Sequence, residues 1–150
     1  MLRLSKKTDY ALMAMKHLAV RSDRGSSSAR EIAGQYDIPI ELLAKVLQRL
    51  VRRGLLVSQQ GTRGGYQLAR VPTAISVADV IQAIDGPVAV TACTADEGAC
   101  DQFAKCNVRD PLARVRDRIL SALGDCTIAE LAADSIPVPV VRTAVLHSPL

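Results

Sequence analysis

Tryptophan is absent from this chain, phenylalanine occurs once and tyrosine three times, so aromatics make up 3% of 150 residues. A core built from it must be aliphatic, and the 49% hydrophobic content is ample for one. No run of eighteen apolar residues occurs, which leaves no candidate membrane span. The first seven residues, Met1 to Lys7, are basic but lack the apolar stretch and small-residue cleavage site of a secretory leader. A cytoplasmic location is therefore expected. There the four cysteines should be thiols, ligands or sensors rather than structural disulfides. Only two histidines occur, His17 in a helical stretch and His147 in the tail, with no matched nucleophile or carboxylate pair. Gly64-Gly65 lacks the lysine and helix of a phosphate-binding loop, so nothing suggests an enzyme. The formal charge of +4 favours a polyanionic partner without identifying one.

What is present is concentrated between Ser28 and Ala69. Ser28 and Glu31 have the spacing of a reciprocal helix start. Ile32 and Tyr36 follow at helical intervals, and Asp37-Ile38-Pro39 ends that helix. Leu43, Val46, Leu47, Leu50 and Val51 recur as one buried face of a second helix. Gly54 stands where a left-handed stop is wanted. Two strands, 55–58 and 66–69, flank the glycine-rich stretch 59–65. Helix, turn, helix and hairpin in this order read as a winged helix-turn-helix, a module that reads duplex DNA. The fold class is accordingly mainly α, with a two-stranded wing and a long C-terminal dimerisation helix.

Glu41, Lys45, Gln48 and Arg52 are spaced four, three and four apart, a stripe on the solvent side of the second motif helix. Gln can pair with adenine and Lys with guanine in the major groove. Arg49, Arg52 and Arg53, nearer the helix end, suit phosphates. Arg63, at the wing tip, suits a minor groove of concentrated negative potential. With Ser28 and Tyr66, the candidate DNA-contacting set is Ser28, Glu41, Lys45, Gln48, Arg49, Arg52, Arg63 and Tyr66. A solvated helix face, or a winged helix that binds only protein, would carry the same charges.

Around this unit, a first helix is expected from Ser5 to Ser22, with Asp9 in its first turn, where a negative charge suits the helix dipole. A polar linker covers 23–27, and Ser76 and Asp79 open another helix that Gly86-Pro87 ends. Asp110-Pro111 reads as an N-cap and first helical position. Leu112, Val115, Ile119, Ala122 and Leu123 then form an apolar stripe that needs a partner subunit to cover it. Gly124 is expected to close that helix, and Thr127 and Glu130 to open a short last one. The units are 1–86 for the DNA reader, 87–109 for a cysteine loop, 110–134 for the dimerisation helix with its short cap helix, and 135–150 for a disordered tail.

Cys93, Cys100 and Cys106 are six and five residues apart, without the paired spacing of a zinc knuckle and with no nearby histidine. Such thiolates can wrap an iron–sulfur cluster. Unlinked thiols or a labile zinc site fit the spacing too. Cys126, beyond the long helix, reads as a small buried hydrophobe.

Residues 4–11 (LSKKTDYA), 31–33 (EIA), 54–58 (GLLVS), 63–70 (RGGYQLAR) and 75–81 (ISVADVI), with the cysteine spacing, resemble the Rrf2 family of bacterial transcription regulators, over about residues 1 to 135. Within it, 86–91 and 106–109 look most like the branch that controls SUF iron–sulfur assembly genes. The resemblance implies a homodimer with crossed long helices, bound to a pseudo-palindromic operator. It also implies an iron–sulfur cluster, of two or four irons, on Cys93, Cys100 and Cys106. The histidine that ligates in IscR-like members corresponds to Arg109, which cannot. In NsrR-like members an aspartate of the other subunit is the fourth ligand, and Asp9 occupies that place. The IscR glutamate that helps choose between DNA sites corresponds to Ala44, which implies a different or simpler target preference.

Overall fold

The computed structural model describes residues 3–91 and 100–133. Helix α1 (Lys6–Val20) begins at Ser5, whose side chain accepts the amide of Thr8. It ends two residues short of the expected boundary, and Ser22–Arg24 form a separate 3₁₀ turn. Ala11, Ala14, Met15 and Leu18 are buried along one side of α1, the side that the rest of the domain closes over.

Helix α2 (Ala29–Tyr36) starts at Ser28, which caps the amide of Glu31 at 3.1 Å. The reciprocal arm expected from the spacing is not made. The Glu31 carboxylate pairs instead with Arg21 at 2.9 Å, because the C-terminus of α1 brings that guanidinium within reach. Asp37, in the left-handed region at φ 53°, ends α2. Helix α3 (Ile40–Arg52) follows directly and buries Leu43, Val46, Leu47 and Leu50. Each such leucine contributes roughly 1.5–3 kcal/mol by leaving water. The helix stops in a Schellman motif: Gly54 has φ +75°, its amide reaches Val51 O at 3.0 Å, and the Leu55 amide reaches Leu50 O at 3.0 Å.

Strands β1 (Leu56–Gln59) and β2 (Gly65–Leu68) pair antiparallel, with Leu56 opposite Leu68 and Ser58 opposite Tyr66. Ser27 adds an isolated bridge to Tyr66, ahead of α2. The expected linker 23–27 is therefore part turn and part sheet edge.

Helix α4 (Val77–Asp85) has a complete capping box from Ser76 and Asp79 and stops at Gly86. Helix α5 (Arg109–Asp125) begins one residue before the expected cap, so Asp110 and Pro111 lie inside its first turn. Neither is misplaced there: a first-turn proline forfeits no intrahelical bond and an acid suits the dipole. Gly124 does not close α5, which continues to Asp125. Helix α6 (Ile128–Ala132) has its own capping box, from Thr127 and Glu130. The two boxes stand side by side, joined by Val77 N–H to Cys126 O and Ile128 N–H to Ile75 O, both 2.8 Å. This carries Ile128, fully buried, into the core shared with α1. Cys126 is half-buried rather than buried, and burial followed by the Glu130 carboxylate pushes its thiol up. No residue of α5 is buried. The expected tail, 135–150, and Cys93 lie outside the described residues.

Candidate nucleic-acid interface

Because α3 spends its apolar face on the core, Glu41, Lys45, Gln48 and Arg52 are left exposed on the opposite side. The wing lies against this face. Gln48 Nε2 donates to the Tyr66 hydroxyl at 2.9 Å, so one end of its amide is fixed by the hairpin. Tyr66 is set in turn by two backbone bonds with Ser27, at 3.1 and 2.8 Å. Those bonds require Gly65, since a Cβ there would lie 2.5 Å from Ser27 O. Ser26 Oγ donates to Arg63 O at 2.8 Å and holds the wing tip, leaving the Arg63 side chain in solvent. Ser28 sits at the start of α2, where free amides and the positive end of the dipole suit a phosphate.

Arg49 departs from the simple stripe. Its Nε donates to Ala83 O at 2.8 Å and ties α3 to the end of α4. The same end of α4 is tied to α1: Asp85 accepts from the Ser5 amide at 3.2 Å and from the Thr8 hydroxyl at 2.8 Å, and also takes the Ser5 hydroxyl. Burial works to raise the Asp85 pKa, but the hydroxyls of Ser5 and Thr8, the Ser5 amide and Arg49 outweigh it and hold the carboxyl below its usual range. Sequence reasoning missed this junction. Its partners are about eighty residues apart, and no local spacing signals it.

His17 is 5% exposed, with Nδ1 on the Tyr36 hydroxyl at 2.9 Å and Nε2 without a partner. Burial lowers its pKa, Arg21 lowers it further, and Glu31 partly opposes. It is a core residue that joins α1 to α2.

Of the four expected cluster ligands, three are described. Cys100 and Cys106 are free, half-buried thiols on either side of a 3₁₀ turn, Phe103–Lys105. Asp9 lies in the first turn of α1, its side chain 45% exposed, facing Lys6 at 3.7 Å. Among the described residues no three metal-binding side chains converge. The donor chemistry fits an iron–sulfur group, which takes thiolates, and neither described thiol is spent in a disulfide. Arg109 is occupied: it bonds Asp110 at 3.1 Å and Phe103 O at 3.2 Å, and lies over the Phe103 ring.

Against known proteins, residues 4–134 match the model of the Rrf2 family, described as an iron-dependent transcriptional regulator. The chain belongs to the Rrf2 family. This Rrf2 protein is 35% identical over 130 residues to the HTH-type transcriptional regulator IscR of Yersinia enterocolitica, covering 87% of this chain and 79% of the relative. Among solved structures it is similar to CymR, the global cysteine regulator of B. subtilis, with a TM-score of 0.73 and 29% identity over 90% of this chain and 99% of CymR. It is also similar to T. potens IscR, with a TM-score of 0.67 and 27% identity over 87% of this chain and 85% of that one. The fold is a winged helix, and the chain is a transcriptional regulator rather than an enzyme. No helix among the described residues is long and apolar enough to cross a membrane.

Proposed function

We propose that this Rrf2 protein is a cytoplasmic, homodimeric repressor that reads a pseudo-palindromic operator and answers to an iron–sulfur group. The observation that carries the reading is the joint between the recognition helix and the wing, Gln48 on Tyr66. It presents Glu41, Lys45, Gln48 and Arg52 as one rigid surface for the major groove, with Ser28 and Arg63 for the backbone and minor groove. The dimer rests on α5, a seventeen-residue helix with an apolar stripe and no buried residue in the single chain. Two-fold symmetry would then match two half-sites.

Cys93, Cys100 and Cys106 would hold the cluster, with Asp9 supplied by the other subunit. A carboxylate is a hard ligand beside three soft thiolates, and such a site is easier to lose. When bound, the group supplies a centre sensitive to oxidants and iron supply. The chain's own residues do the coupling. The cysteine loop leaves α4 at Gly86, one residue after Asp85. Ser5 and Thr8 hold that last turn to α1, and Arg49 holds it to α3. A rearrangement of the loop therefore pulls at the root of the recognition helix. By analogy with the IscR relatives, the targets are iron–sulfur assembly genes.

The test is anaerobic purification with iron and sulfide analysis, followed by recovery of bound genomic fragments. Stoichiometric iron and sulfide, lost in Cys100→Ser and Cys106→Ser, support the reading. A colourless protein after reconstitution refutes the cluster. The second reading is then a thiol- or zinc-based sensor, favoured by the free Cys100 and Cys106 and by the likeness to CymR. It predicts the same fragments without colour. A wing-only adaptor would ignore Gln48→Ala altogether.

A further inference from the structure

Between the first turn of α1 and the flank of α3 lies a cavity of about 720 Å³. Lys6 and Lys7 from α1 and Lys45, Arg49 and Arg52 from α3 line it, against one carboxylate, Asp85. We propose that this groove seats the sugar–phosphate backbone of the duplex beside the bases read by α3, with Lys6 and Lys7 as phosphate contacts outside the helix-turn-helix. The proposal rests on the reading that α3 enters the major groove.

Charge is the first argument. The whole chain carries a formal +4, yet five cations gather here around a single acid. That acid is already engaged by Ser5 and Thr8. Continuity is the second. Lys45 and Arg52 belong to the exposed stripe of Glu41 and Gln48, so one wall of the groove is the flank of the recognition helix itself. The third is the α1 N-terminus at Ser5, whose dipole adds positive potential at the groove. No aromatic ring lines the cavity, so a base has nothing to stack on and a phosphodiester is the better guest. Lys7 makes no ion pair among the described residues, and the Lys6–Asp9 pair is exposed on both sides. Releasing Lys6 to a phosphate costs little.

The experiment uses the full chain, a labelled mixed-sequence duplex and anisotropy over a salt series. In Lys6→Ala/Lys7→Ala the slope of log affinity against log salt should fall in magnitude by about 1.8, about 0.9 per lost contact. Lys6→Arg/Lys7→Arg should restore it. Lys16→Ala/Arg24→Ala, which removes the same charge from the other end of α1, should leave it unchanged. A wild-type slope in the alanine pair, or an equal fall in the control pair, overturns the groove while the DNA reading stands. A wild-type chain that binds no duplex overturns both.

Discussion

Replacing Gly65 with alanine tests the link between the wing and the rest of the domain. The added Cβ would stand 2.5 Å from Ser27 O and 2.6 Å from Ser27 C. Both are backbone atoms, so no side-chain rotation relieves the clash. Relief requires opening the Ser27–Tyr66 pair, two hydrogen bonds at 3.1 and 2.8 Å. Each is worth about 0.5–1.5 kcal/mol net, and stranding buried backbone groups costs roughly 1–3 kcal/mol more. Ser27 is only 2% exposed, so water does not replace the lost partners. The expected loss is about 2–4 kcal/mol, against a urea dependence of roughly 1–3 kcal/mol per molar. The urea midpoint should therefore fall by about 1–2 M with the slope unchanged. Gly34→Ala is the companion. Gly34 is exposed on α2 with nothing within 4 Å of the new Cβ. That change should stabilise by roughly 0.5–1 kcal/mol. Opposite signs from the same substitution at two positions would follow from close approach alone. A Gly65→Ala midpoint at or above wild type refutes the reasoning.

Further outcomes follow from the junctions and the bare helix. Asp85, held below its ordinary value of 3.8, contributes stability that is complete above that value and is lost as pH falls through its native one. Acid-side urea midpoints in Asp85→Asn should lose this dependence. His17 is also depressed, from 6.5, so the unfolded chain takes up its proton first as pH falls. Its contribution is whole above 6.5 and shrinks below it, and His17→Gln should flatten midpoints across that range. Val115, 42% exposed on α5, should break the dimer when changed to glutamate, giving a monomer by light scattering. A dimer that survives removes α5 as the seam.

Local spacing was enough for the elements that make their own ends. Ser76 with Asp79, Thr127 with Glu130, and Gly54 mark boundaries through bonds three to five residues long, and such bonds are written in the neighbouring residues. The exposed stripe of α3 was legible for the same reason, because a 3.6-residue period fixes which side chains oppose the buried leucines. Ser28 and Asp110 show the limit. The first lost its reciprocal partner to Arg21, and the second was displaced from the cap by an earlier start.

By itself the sequence determined the helix-turn-helix-wing order, the aliphatic core, the outward residues of α3 and the family likeness. These depend on composition and on short-range geometry. Only the tertiary structure decided that Tyr66 fixes Gln48, that Asp85 and Arg49 fasten the root of the cysteine loop to α1 and α3, and that Ile128 returns to the core. Contacts between residues up to eighty positions apart exist only once the helices have packed, and no periodicity along the chain encodes them.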